Sequence, residues 1–315
     1  MAVIGAPLDL GTGQRGAAFG PMALRTADRY VPGGPLAPAV MTHLHTMVKP
    51  FEVLKCVDYG DAGIDPFDPV ASHEEIRKRV YEIAEAGALP ITLGGDHSLM
   101  RPDVMALTDV YGKGNVGVIH FDAHYDAGSN NFGHNVTHGT PVRNLIEDGF
   151  VKGENFVQVG LRGWVPTEED AEWMRSQGIK SHYMAEVERD GFTQVMERAI
   201  AEAQDGAEYL FISFDIDSLD PAYAPGTGTP EPGGLTTREA FPIVRRLCVE
   251  CNVVGLELVE VAPPHDPGYT TALNGLRVIQ NAITGLAMKK LGLTEPWYLD
   301  KRTSGRDPVP GQRTD

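Results

Sequence analysis

The residues best suited to chemistry stand at alternating positions. In His120-Phe-Asp-Ala-His-Tyr-Asp126, Asp122, His124 and Asp126 fall on one side of an extended chain, because successive strand side chains point to opposite faces. A second run, Phe214-Asp-Ile-Asp-Ser-Leu-Asp-Pro221, puts Asp215 and Asp217 on one side by the same rule. Both runs follow apolar stretches, so they emerge at the same edge of a parallel sheet. Four carboxylates gathered there repel one another unless positive charge intervenes. A divalent cation is the simplest remedy. Carboxylates with one or two imidazoles suit manganese, with nickel, zinc and iron as rivals. Gly94-Gly-Asp-His-Ser98 follows a third apolar stretch; its glycines let the backbone turn tightly, and His97 would complete the cluster. A single aspartate at a strand end is ordinarily a turn or cap residue, and it is the repeated spacing that points to a metal.

The elements that must position these groups follow from apolar runs of four to six or seven residues. Residues 2–5, 90–93, 116–121, 156–159, 209–214 and 253–259 read as strands, and 73–86, 168–177, 192–204 and 237–249 as helices between them. This alternation predicts an α/β fold with a mostly parallel sheet between two helical layers. Phe241-Pro242 marks a place where the last helix starts or bends. The loops 128–137 and 221–234, rich in glycine, proline or asparagine, follow strands and so border the site. Without an internal repeat or a long linker, residues 1–315 form one domain, ending in a polar tail or arm over 296–315.

Composition narrows the class. The 315 residues carry 43 acidic and 27 basic side chains, a net charge of −16. Such a surface repels phosphate backbones, which excludes nucleic acid as the main partner and suits a cationic ligand. No apolar stretch of about 18 residues could span a bilayer, which excludes a membrane partner. Three cysteines are too few for a disulfide framework, and the first residues read as a strand, so a cytoplasmic enzyme is expected. Cys248 and Cys251 form a Cys-x-x-Cys without a matching second pair, and no chemical role is assigned to them.

The motifs together resemble the ureohydrolases, the family of arginase and agmatinase. The resemblance rests on Gly94-Gly-Asp-His-Ser98, Phe121-Asp-Ala-His-Tyr-Asp126, His138-Gly-Thr-Pro141, Ser213-Phe-Asp-Ile-Asp-Ser-Leu-Asp-Pro-Ala222, Ala224-Pro-Gly-Thr-Gly-Thr-Pro-Glu231 and Val259-Glu-Val-Ala-Pro-Pro-His-Asp266. It runs from Ile4 to Leu286 and implies a three-layer arginase-like fold with two divalent ions per subunit, usually Mn2+, with Ni2+ an alternative. It assigns His97, Asp122, Asp126 and Asp215 to one ion, and Asp122, His124, Asp215 and Asp217 to the other. His138 matches the family's catalytic histidine and Glu260 the carboxylate that receives the guanidinium group. The resemblance also implies a homo-oligomer, trimer or hexamer, or a hetero-oligomer with a related subunit.

Elementary chemistry agrees with that assignment. Two divalent ions make hydroxide available near neutral pH. Glu260 could orient a planar guanidinium by paired charge-assisted hydrogen bonds. His138, as a side chain titrating near neutrality, is suited to give the leaving amine its proton. The expected reaction releases urea and an amine from a small cationic guanidino compound. Arginases clamp an amino acid through an asparagine two positions past the Asp-x-His-x-Asp motif, and Gly128 stands there instead. The sequence therefore leans to the agmatinase-like branch, with agmatine or another small guanidino compound as substrate. A guanidine or biguanide hydrolase using nickel is the alternative. Asn131, His134, Trp164 and His265 are candidate substrate contacts, and His120 is expected to pack inside its strand. Glu257 stands where many relatives carry aspartate. Two other classes compete: a metal-free, catalytically silent partner subunit, and a one-zinc deacylase of related fold. All six ligand positions are filled, which favours two metals over both.

Overall fold

In the computed structural model, residues 1–28, 42–164, 167–295 and 298–304 are described. Eight parallel strands form one sheet: β1 (Ala2–Ala6), β2 (Val57–Asp61), β3 (Pro90–Gly94), β4 (Val116–Phe121), β5 (Phe156–Leu161), β6 (Lys180–Tyr183), β7 (Tyr209–Asp215) and β8 (Val253–Val259). Their spatial order is β2-β1-β3-β8-β7-β4-β5-β6. Every residue of the six strands read from the sequence is buried except Tyr209, as expected of strands covered on both faces. The two strands that were not foreseen, β2 and β6, are the sheet's edges. Val57–Asp61 is exposed throughout, so it carries none of the apolar signal that marks the centre.

Alternation sorts the strand side chains into two cores. Val3, Leu93, Ile119, Phe121, Ile212 and Phe214 face one helical layer, with the helices Phe192–Ala203, Thr237–Glu250 and Thr270–Lys290. Ile4, Val116, Val118, Phe156 and Phe211 face the other, with Pro69–Glu85 and Met100–Tyr111. The helix over 237–250 begins at a capping box, Thr236 with Glu239, and runs through Pro242 as one element. The longest helices that escape a reading by period, Met100–Tyr111 and Thr270–Lys290, are buried on most sides and show no clean polar face. Of the C-terminal segment 296–315, residues 296–297 and 305–315 lie outside the described residues. The part between them contacts the body through Asp300 N, which donates to His45 O at 2.8 Å.

This topology matters because β3, β8, β7 and β4 are consecutive neighbours, and all of the chemical motifs follow these four strands. The register aligns Phe121 with Phe214, Phe214 with Leu258, and Leu93 with Leu258. Asp122, Asp215 and Glu260 therefore leave the sheet within a residue or so of the same level, at the carboxyl ends where open α/β sheets bind ligands. His97 reaches that level by a tight turn: Gly95 N donates to Ala6 O and Asp96 N to Leu8 O. A Cβ on Gly95 would sit 1.7 Å from Leu8 O. Gly95→Ala should therefore destabilise the protein by about 3 kcal/mol. A urea unfolding midpoint equal to that of the parent would show that this approach is not obligatory.

Candidate functional site

His97 Nε2 lies 2.8 Å from Ser213 Oγ, and the Ser213 hydroxyl donates to Glu257 Oε1 at 2.8 Å. A hydroxyl has one proton, so Nε2 must donate to it, and Nδ1 is the nitrogen left to take either a proton or a cation. That buried nitrogen has no hydrogen-bond partner. It faces Asp122 Oδ2 at 2.9 Å, and Asp126 Oδ2 and Asp215 Oδ2 at 3.1 Å each. Burial disfavours a charged imidazole, but these carboxylates raise the His97 pKa well above its usual value. Burial lifts Glu257 to about 7, against the pull of His97 and the Ser213 hydrogen bond.

A second group adjoins the first. His124 Nδ1 is 3.0 Å from Asp217 Oδ2 and 3.5 Å from Asp122 Oδ1. Asp122 thus turns one oxygen to each group; the donor atoms of His97, His120, Asp122 and Asp126 lie within 4.8 Å of one another, as do those of Asp122, His124 and Asp217. Burial would lower His124, but Asp217 and Asp122 hold it up to about 12. Asp215 is pushed well above the usual carboxylate range by burial and by Asp217 and Asp122. The backbone fixes the cluster: His124 N donates to Asp122 Oδ1, Asp217 N to Asp215 Oδ1, and Ala123 N to Asp217 Oδ1. Asp126 and Glu260 have φ of 45° and 62°, a left-handed conformation whose strain of about 1–3 kcal/mol per residue persists where surroundings over-determine it.

His120 does more than pack. Gln158 Nε2 donates to Tyr125 O at 2.7 Å and its Oε1 accepts from Ser181 Oγ, which fixes the amide orientation. The same Nε2 lies 3.3 Å from His120 Nδ1, making that nitrogen an acceptor. His120 Nε2–H therefore donates to Asp122 Oδ2 at 2.8 Å and orients the shared carboxylate. Arg162 performs a similar service from below Asp217: its guanidinium donates to the carbonyls of Asp217, Glu231 and Gly160. Neither role shows in the sequence, because each depends on partners far along the chain.

Glu260 lies beside the first group. Its Oε1 accepts from His97 N at 2.9 Å and stands 3.7 Å from His138 Nδ1, while Glu260 N donates to Gly95 O. Burial, with Asp96 next to it, pushes its pKa well up. A buried carboxylate in this setting calls for a cation. Asn131 and His134 line a cavity that also touches His138. Trp164 is almost fully exposed and borders a different cavity, with Tyr125 and Tyr183. His265 contacts the Arg15 carbonyl at 3.1 Å. Cys248 and Cys251 are buried free thiols, and burial pushes both up, Cys251 to about 12.

Known proteins can now be set beside this geometry. The sequence profile of the Arginase family matches residues 1–285. This chain belongs to the arginase family. It is 38% identical to a guanidinobutyrase from Pseudomonas aeruginosa over 284 residues, covering 88% of this chain and 83% of that protein. It is also 38% identical to a mitochondrial agmatinase from Gallus gallus over 282 residues, 88% of this chain and 78% of the relative. Among solved structures, the proclavaminate amidino hydrolase from Streptomyces clavuligerus superposes with a TM-score of 0.82 at 31% identity, covering 91% and 92% of the two chains. The chain sits in the agmatinase-like branch of the arginase family and is a hydrolase of C–N bonds in linear amidines. Among the described residues no helix is long and apolar enough to cross a membrane.

The Nδ1 of His97, facing three carboxylate oxygens, belongs to a donor set that fits a divalent cation once its proton has left. In the metal-free chain, protons on His97 and His124 supply the missing positive charge. A ligating nitrogen must lose its proton, so metal uptake should release protons and strengthen with pH. The His124 value, held up to about 12, keeps that group charged through the whole neutral range, so at least one proton leaves per binding event. Manganese titrations at pH 6.5 and 8.5, in two buffers of different ionisation enthalpy, should show roughly tenfold or greater tightening per pH unit per proton. Uptake that ignores pH would rule out this arrangement.

Proposed function

We propose that this chain hydrolyses a small guanidino compound to urea and an amine at a pair of divalent ions, manganese by donor preference and nickel as the rival. His97, Asp122, Asp126 and Asp215 hold one ion; Asp122, His124, Asp215 and Asp217 hold the other. Bound there, the ions supply an acidified water and a Lewis-acidic charge. The observation that carries the reading is Glu260, a buried carboxylate that among the described residues has no Lys or Arg partner, stands 3.7 Å from His138 and accepts a hydrogen bond from the backbone of His97. A planar guanidinium satisfies it, because two N–H groups can pair with a carboxylate.

The protein's own residues divide the work. Glu260 fixes the guanidinium beside the two donor groups. His138 N donates to Gly11 O, so the backbone holds the imidazole while its Nδ1 stays free to exchange a proton with the leaving nitrogen. His120 and Ser213 keep Asp122 and His97 in the orientation that the cations require. The polar clamp expected of an arginase is lacking in the sequence at Gly128, which favours a substrate without an α-amino acid head; agmatine and guanidinobutyrate enter as candidates through the relatives named above.

His138→Asn should keep two metal ions per chain and lose turnover by about 10²–10⁴-fold, the usual yield of a positioned acid or base. Metal analysis with a urea-release assay over guanidine, agmatine, guanidinobutyrate and arginine, in manganese and in nickel, checks both halves. One ion per chain would favour a deacylase, none a silent subunit, and urea from arginine alone would overturn the branch of substrate.

A further inference from the structure

Next to His138 lies a cavity of about 420 Å³ whose walls include Thr12, Leu10, Val136, Phe67 and Phe132. Among the described residues, none of its walls is Asp, Glu, Lys or Arg. The two carboxylates flanking Phe67 in sequence are engaged by the backbone: Asp65 Oδ1 accepts from Phe67 N, and Asp68 Oδ1 from Val70 N and Ala71 N. The phenylalanines at the rim are exposed to an unusual degree, Phe67 at 93% and Phe132 at 103%.

Phe132 is also held in an unfavourable backbone. Asn131 and His134 exchange both backbone hydrogen bonds, closing a two-residue hairpin. Its central residues, Phe132 and Gly133, have φ of 51° and 85°. Such turns favour Asn-Gly, and a phenylalanine at the first position is strained. Strain that serves no packing is characteristic of binding sites.

We propose that Phe132, with Phe67 opposite, selects guanidines bearing a short uncharged alkyl substituent, the guanidinium lying at Glu260 and the alkyl chain in this cavity. The inference rests on the reaction proposed above and adds the substrate's tail to it. An ammonium terminus would meet Leu10, Val136 and the two rings with no carboxylate among the described walls, and a carboxylate terminus would find only the imidazoles of His134 and His138. Each methylene buried there instead strengthens binding about fourfold. In the balanced reaction, water adds to the central carbon of N-butylguanidine and the C–N bond to the butyl-bearing nitrogen breaks. That nitrogen takes a proton and leaves as butylamine, with urea as the other product.

The metal-loaded enzyme should be assayed for urea release with guanidine, N-methylguanidine, N-butylguanidine, agmatine and 4-guanidinobutyrate. N-butylguanidine should exceed both charged-tail compounds in kcat/KM by about tenfold or more, because burying a charged terminus there costs at least as much as is gained by burying its chain. Phe132→Asn should melt at the same or a higher temperature, because asparagine suits the turn. It should also cut the advantage of N-butylguanidine over guanidine about tenfold, through KM. Phe67→Ala should do the same without relieving the turn. A charged-tail compound that matches N-butylguanidine, or a selectivity ratio unmoved by both substitutions, overturns the assignment of the tail alone. A ratio unmoved together with a smaller oligomer on size exclusion makes Phe132 a subunit contact and overturns it equally. Urea from none of the five compounds overturns the reaction as well.

Discussion

Four carboxylates gathered around two imidazoles repel one another unless positive charge is placed among them. In this protein the arrangement is built into the sheet. Phe121, Phe214 and Leu258 are in register across β4, β7 and β8, and each is followed at once or after one residue by a site residue. The apolar side chains below that level are buried in the two cores, so a strand cannot slip to relieve the repulsion without turning its apolar side chains to the wrong face. Folding energy from ordinary hydrophobic packing thereby maintains a charge pattern that is unfavourable by itself. The cation is the relief for that pattern.

A second layer of contacts decides how the donors point. Ser213 fixes which nitrogen of His97 faces the carboxylates, and Gln158 fixes which nitrogen of His120 donates to Asp122. Arg162 ties the backbone of Asp217 to that of Glu231, joining a donor to the loop that borders the site. These contacts come from strands and loops on both sides of β4 and β7, so no segment taken alone explains the geometry. Glu257 extends the chain from His97 through Ser213 into the core, where its other oxygen has no partner. An aspartate in its place would be one methylene shorter, and the reach to Ser213 would have to be made up by the backbone.

The donors were legible in the sequence because strand periodicity projects alternate residues to one side, and because apolar runs announce the central strands. The same logic explains what was hidden. β2 and β6 sit at the edges with mixed or exposed faces, and Val57–Asp61 contains too little apolar character to stand out. Thr270–Lys290 is buried on most of its circumference, so its apolar and polar residues are not segregated by turn. His120 reads as a packing residue because its role is set by Gln158, 38 positions away. The left-handed backbone at Asp126, Phe132 and Glu260 carries no compositional mark at all, since none of the three is glycine.

In the proposed reaction, the head and tail of the substrate would be read by different parts of this fold. The groups proposed to meet a guanidinium are attached to strand ends of the rigid sheet: Glu260 follows β8, and its neighbours follow β3, β4 and β7. The residues proposed to meet a substituent stand on connections, Phe67 before the helix Pro69–Glu85 and Phe132 in a two-residue hairpin after β4. Strand ends cannot change without disturbing the register, whereas a hairpin tip can exchange its side chain at little expense to the core. A net charge of −16 draws cations toward the surface without distinguishing among them. In the proposed reading, discrimination comes from the walls beside His138, where among the described residues no Asp, Glu, Lys or Arg stands and an alkyl group leaves water.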